Sequence, residues 1–271
     1  MVSNYNIERV NPDDRWDSFL YKSKNSILFS LSKYLKAVNG SPGCYFVYNS
    51  NELRAAIAVI ETDDGKSTIL NDRIIYNGII FGPEMQDKNQ SQKFSDRFRI
   101  TQFIAEELTR IYDTVELSLD PSIVDIRPFQ WVNYNTSLPK YELDIRYTSY
   151  VDIQNFCSSQ NYEDIKAYLN SSASRRQEIR YANRDGVETI ENFDADTFIK
   201  LYSLTMERQN EKIGNVKLNQ GRQGTLDEMY RLISELYKNR LGQMYATYTS
   251  NGDLGSMAFF AIDHIRAYYL F

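Results

Sequence analysis

The residues best suited to chemistry are four arginines in one stretch. Arg176, Arg180 and Arg184 recur at i, i+4 and i+8, so a helix carries them on one face, with Arg175 beside them. Guanidinium forks at that spacing suit bidentate binding of phosphate oxygens. The same residues also suit a solvated basic face, partly paired with Glu178 and Asp185. Thr205, Arg208 and Gln209 end the next predicted helix, at a cleft or as a cap toward a polar loop. That loop, 210–224, holds three glycines and little apolar content, the composition of a lid or of an ordinary surface loop. Asp72, Glu178 and Glu207 are carboxylates available as a general base, and the sequence does not choose among them.

Other chemistries are poorly provided for. His264 is the single histidine, in Asp263-His264 between two apolar runs, where a hairpin turn is predicted. Sites needing several histidines are excluded. Cys44 and Cys157 are far apart and suggest neither a disulfide framework nor a zinc site, so no metal is expected. The net charge of -5 argues against a whole-protein nucleic-acid footprint, and no DNA partner is expected. No basic leader with an apolar stretch begins the chain, and no apolar run is long enough to span a bilayer. A cytoplasmic location is expected.

The elements that position these residues repeat. In 271 residues, two domains are expected, 1–140 and 141–271. The first reads β-α-α-β-β-β-α-β. Its strands are Tyr5–Val10, Cys44–Tyr48, Leu53–Glu61, Ser67–Phe81 and Thr114–Leu119, and its main helix runs from Ser91 to Tyr112. Tyr141–Ile145 alternates as a further strand, and 162–184 is helical in two pieces broken near Asn170-Ser171-Ser172. The second half then reads Val187–Glu191, helices Asp194–Asn210 and Thr225–Asn239, and strands Gln243–Thr249, Gly255–Ile262 and Ile265–Phe271. Ala267–Phe271 is apolar on both faces, as in a sheet interior. By comparison with the first half, one helix and at least one strand are expected beyond Phe271, the second domain being cut after its fourth strand. The alternative is a cover from another chain or from the first half.

Trp16-Asp17, Ile27-Leu28-Phe29-Ser30 with Tyr34, Asn77–Pro83, Ile126–Trp131, Ser174–Gly186 and Thr205–Gln209 follow in an order that resembles the FemAB-like and BioF2-like acyltransferases. The resemblance implies an α/β (α+β) fold of two tandem GNAT-like domains, each a mixed, mainly antiparallel sheet flanked by helices, the second incomplete. It implies acyl transfer to an amine, with acyl-CoA (acetyl-CoA) as cosubstrate or aminoacyl-tRNA as donor. Acceptors would be small molecules, nucleotide- or lipid-linked sugars, or peptidoglycan-type precursors, with peripheral membrane contact. Arg175, Arg176, Arg180, Thr205, Arg208, Gln209, Trp16 and Tyr34 would bind substrate. Tyr269 would protonate a leaving thiolate, with Tyr268 its alternative, and Glu207 would serve as base. The chain departs from the pattern at Gly82-Pro83-Glu84-Met85-Gln86-Asp87. An acidic pair and a proline stand where backbone N–H groups would hold the donor pyrophosphate. The equivalent loop of the second half is expected after Phe271. A non-catalytic binding module therefore stands beside the two transferase readings.

Overall fold

The computed structural model describes residues 4–25, 28–83, 88–154, 161–213 and 222–271. In chain order the elements are β1 (Tyr5–Val10), α1 (Asp14–Leu20), α2 (Ser32–Ala37), β2 (Ser41–Asn49), β3 (Glu52–Glu61), β4 (Thr68–Ile69), β5 (Gly78–Phe81), α3 (Gln90–Ile111) and α4 (Arg127–Trp131). There follow α5 (Lys166–Leu169), α6 (Ala173–Arg184), β6 (Glu188–Glu191), α7 (Ala195–Ile213), α8 (Arg222–Lys238), β7 (Gly242–Tyr248), β8 (Leu254–Ile262) and β9 (Ala267–Tyr269). The chain divides into two compact units. One comprises Met1–Leu143, Leu218–Gly242 and Ala261–Leu270; the other comprises Asp144–Lys217, Gln243–Phe260 and Phe271.

The first unit is built on an antiparallel sheet in the order β1-β2-β3-β4, with β5 also pairing to β3. β2 and β3 are buried over most of their length, which is why their sequences read as near-continuous apolar runs. On one face, Tyr45, Val47, Ile57 and Val59 meet Ile100, Ile104 and Leu108 of α3 and Phe129 of α4. Opposite them, Phe46 lies against Trp16 and Phe19 of α1, with ring centroids 5.5 and 5.6 Å away. Each fully buried large apolar side chain contributes roughly 1.5–3 kcal/mol. α3 starts at a capping box in which Asn89 and Gln92 exchange two 3.0 Å hydrogen bonds.

Two expected strands differ. The run 67–81 breaks in the middle, because Asn71 makes an Asx turn whose Oδ1 accepts from Arg73 N at 2.9 Å. Residues 114–119 form a single bridge, Ser67 to Thr114, rather than a strand. Their further bonds run partly through side chains: Glu116 N donates to Thr68 Oγ1 at 2.7 Å, and Ser118 N donates to Asn77 Oδ1 at 2.6 Å. Side-chain partners alternate with main-chain bonds such as Asn77 N to Ser118 O at 2.7 Å, so no continuous ladder forms. The alternating run 141–145 is also not a strand. Only Tyr141 is anchored, with its hydroxyl donating to Ala105 O at 3.0 Å.

The sheet order of the second half is β6-β7-β8-β9. β6 and β7 pair antiparallel from Glu188–Tyr248 to Glu191–Tyr245. The hairpin turn expected around His264 is present. Asp263 Oδ1 accepts from Ile265 N and Arg266 N at 2.7 and 2.8 Å.

Candidate functional site

The arginine helix forms as expected, in two pieces. α5 ends at Leu169, and Ser172 caps α6 by accepting from Arg175 N at 3.3 Å. No residue of α6 is buried. Arg176 Nη1 donates to Leu169 O at 2.9 Å, so it ties α6 to the end of α5. Arg180 Nη1 lies 3.4 Å from the hydroxyl of the buried Tyr168. Arg175 pairs with Glu178 at 2.7 Å. Arg184 pairs with Asp185 at 2.8 Å and stacks over Tyr181 at 4.7 Å. Arg175 and Arg184 therefore carry local partners. Arg176 and Arg180 keep further donors on an exposed helix face, where phosphate oxygens are accessible to them.

The other sequence candidates divide. In α7, Thr205 is exposed and its hydroxyl bonds back to Leu201 O at 2.9 Å. Glu207 is exposed and accepts from Ser203 Oγ at 3.2 Å, and Arg208 is exposed. The side chain of Gln209, most of loop 210–224 and Cys157 lie outside the described residues. Tyr269 on β9 is 67% exposed, whereas Tyr268 is buried against Phe29, with ring centroids 4.9 Å apart. Trp16 and Tyr34 are fully buried. Trp16 Nε1 donates to Ser30 O at 2.7 Å, and Tyr34 OH donates to Arg73 O at 2.5 Å. Both polar atoms are satisfied inside the core, which is what a packing role requires.

Two polar groupings of the first unit are not evident from sequence. At the β5–α3 junction, Arg54, Lys88, Lys93 and Arg97 gather beside Gly82, Pro83 and Asp96. Arg54 and Lys88 both pair with Asp96, and Arg97 lies 5.1 Å over the Phe81 ring. The cations come from β3, α3 and Lys88 just before α3; loop residues 84–87 lie outside the described residues. The second grouping surrounds Glu61, whose side chain is 4% exposed. Its Oε2 is 2.6 Å from Arg9 Nη2, and its Oε1 accepts from Tyr112 OH and, at 3.3 Å, from Tyr45 OH. The two phenols are 2.7 Å apart. Burial, then the bond to Glu61, raises the Tyr112 pKa; burial also raises that of Tyr45. Both stay protonated and donate. The sequence signal for this cluster was a lone acid ending an apolar strand, with Arg9 and Tyr45 facing each other across the β1–β2 register.

With this architecture described, its class is clear: a mixed α/β protein whose mainly antiparallel sheets are flanked by helices. Among solved structures the chain is similar to FemX, with a TM-score of 0.50 and 12% identity over 89% of this chain and 57% of that one. It therefore spans little more than half of the FemX length, and at this identity the likeness is one of fold. A weaker likeness links it to a tandem GNAT protein from the clavulanic acid biosynthesis pathway, without AcCoA. There the TM-score is 0.38 and the identity 8%, over 96% of this chain and 75% of that chain. No protein-family profile and no curated protein matches the sequence.

Proposed function

We propose that this protein is an N-acyltransferase that moves an acyl group from acyl-CoA to an amine on a cell-envelope sugar or peptidoglycan-type precursor. The observation that carries the reading is the fold likeness to FemX over 89% of the chain. A fold hosts many functions, so the assignment also needs a site. α6 supports the acceptor side. Arg176 and Arg180, with Arg175 beside them, would take the phosphates of a nucleotide- or lipid-linked acceptor, and Thr205, Arg208 and Gln209 would line the approach.

The chemistry asks little of the protein. The acceptor amine, once deprotonated, adds to the thioester carbonyl and forms a tetrahedral oxyanion. Collapse of that oxyanion breaks the carbon–sulfur bond, and the departing thiolate takes a proton. Glu207 is the proposed base for the amine proton and Tyr269 the proposed acid for the thiolate; both are exposed. No metal is required. These substrates are cytoplasmic, and peripheral contact with a membrane would suit a lipid-linked acceptor. Among the described residues no helix is long and apolar enough to cross a bilayer.

The sequence resemblance to Fem-type enzymes gives a second reading of the donor, aminoacyl-tRNA, on the same acceptor class. Net charge of -5 weighs against it, because RNA affinity rests on phosphate neutralisation by cations. Replacing Arg176 and Arg180 together by Ala tests the acceptor assignment. Acceptor binding is expected to weaken at least tenfold, well beyond the small loss of stability that follows from removing the bonds of Arg176 to Leu169 O and of Arg180 to Tyr168 OH. Unchanged binding would remove the phosphate role.

A further inference from the structure

Residues 141–153 run Tyr-Glu-Leu-Asp-Ile-Arg-Tyr-Thr-Ser-Tyr-Val-Asp-Ile, without glycine or proline. Apart from Ser149, the odd positions are aliphatic or tyrosine; apart from Tyr150, the even positions are charged or Thr. That is the alternation of a strand with one apolar face, written in residues that favour strands. No residue of the run has a positive φ, so nothing local prevents it from extending. It nevertheless belongs to no sheet, and no main-chain hydrogen bond joins 141–149 to another described residue. Ile145, Tyr147, Val151 and Ile153 are each more than half exposed, Tyr147 at 96%. Main-chain donors and acceptors beside an exposed apolar row form a template for a further strand.

The charges of the run select that strand. Directly opposed residues of an antiparallel pair share a face, so a register centred between two residues would set apolar side chains against polar ones. Centred on Tyr147, two copies of the run would set Glu142 opposite Asp152. Centred on Thr148, they would set Asp144 opposite Asp152. Like charges directly opposed are destabilising. Centred on Ser149, the pairing sets Arg146 opposite Asp152 twice, Ile145 opposite Ile153 and Tyr147 opposite Val151. It also leaves out Tyr141, whose hydroxyl is held by Ala105 O. Arg146 now pairs with Asp144 at 3.0 Å, with 80% and 75% of the two side chains exposed. Such an exposed pair is worth little and is readily exchanged.

We infer that residues 144–154 pair with the same residues of a second copy of this chain, antiparallel about a two-fold axis at Ser149. The interface is isologous: each copy gives Arg146 to the other's Asp152 and receives the reverse. A two-stranded ribbon is only marginally stable in water, so the association is weak and depends on concentration. The inference does not depend on acyl transfer.

The test is sedimentation velocity on the full chain over a wide range of concentration. A monomer that passes to a dimer as concentration rises is expected. Arg146→Asp and Asp152→Arg, both at exposed positions, are each expected to weaken dimerisation at least tenfold without altering the far-ultraviolet spectrum. The double variant, which restores opposite charges across the pair, is expected to recover most of the loss, a result that damage to the fold would not give. Register is read by cross-linking in a Cys157→Ser background. Ser149→Cys is expected to form an interchain disulfide at least tenfold faster than Asp144→Cys, because only position 149 meets its own copy. A chain that stays monomeric at every concentration would leave the run to a different partner and overturn the inference. So would a double variant no better than the single ones, or equal cross-linking at 149 and 144.

Discussion

Buried tyrosines dominate the titration behaviour of single residues here. Tyr34 is fully enclosed and burial raises its pKa; burial likewise raises Tyr141 and, with Glu61, Tyr112. A raised phenol pKa favours the protonated, folded form. Its contribution is complete below the ordinary tyrosine value of about 10 and is lost as pH rises beyond it. The melting temperature should therefore hold level between pH 7 and about 10 and then fall. Tyr34→Phe should melt lower at pH 8 but lose less between pH 10 and 12; parallel curves would show that Tyr34 carries no such linkage. At this scale the sequence was an uneven guide. Arg175, Arg176 and Arg180 were legible because helical spacing shows in a linear string. Glu61, Arg9, Tyr45 and Tyr112 were not, because their shared site exists only once β1, β2 and β3 pair. Trp16 and Tyr34 were expected as substrate contacts through the family resemblance, whereas burial with satisfied polar atoms is what the fold gives them.

Among the elements, caps and turns decided where prediction succeeded. α3 was foreseen from its apolar stripe, and its start is fixed by Asn89 and Gln92. Asn89→Ala removes an acceptor from the first turn and should cost about 1 kcal/mol in urea unfolding; an unchanged midpoint would mean the first turn adds nothing. Failures came where side chains took over backbone roles. Thr68 and Asn77 bond to residues 116 and 118 partly through their side chains, so an alternating, strand-like run never builds a continuous ladder. Asn71 folds back on Arg73 and divides a run that otherwise reads as one strand. Periodicity registers a strand-like pattern, but it does not register which hydrogen-bond partners the run finds. The alternation at 141–145 shows the converse: the pattern of a strand is there, while only Tyr141 is held.

For the whole molecule, the order of helices and strands carried further than any motif. Expected and observed architectures agree on antiparallel sheets flanked by helices, and FemX shares that fold at 12% identity. Conserved geometry with so little shared sequence is understandable, because apolar patterning and turn chemistry specify layers without specifying particular residues. Function rests on fewer atoms, and acyl transfer is the claim that most needs a direct measurement. That measurement is mass spectrometry of a nucleotide-linked amino-sugar acceptor after incubation with the protein and acetyl-CoA, with aminoacyl-tRNA as a parallel donor. The expected result is an acceptor heavier by one acetyl group with one free CoA thiol released per transfer, lost when Arg176 and Arg180 are replaced by Ala. An acceptor of unchanged mass with both donors would contradict the account.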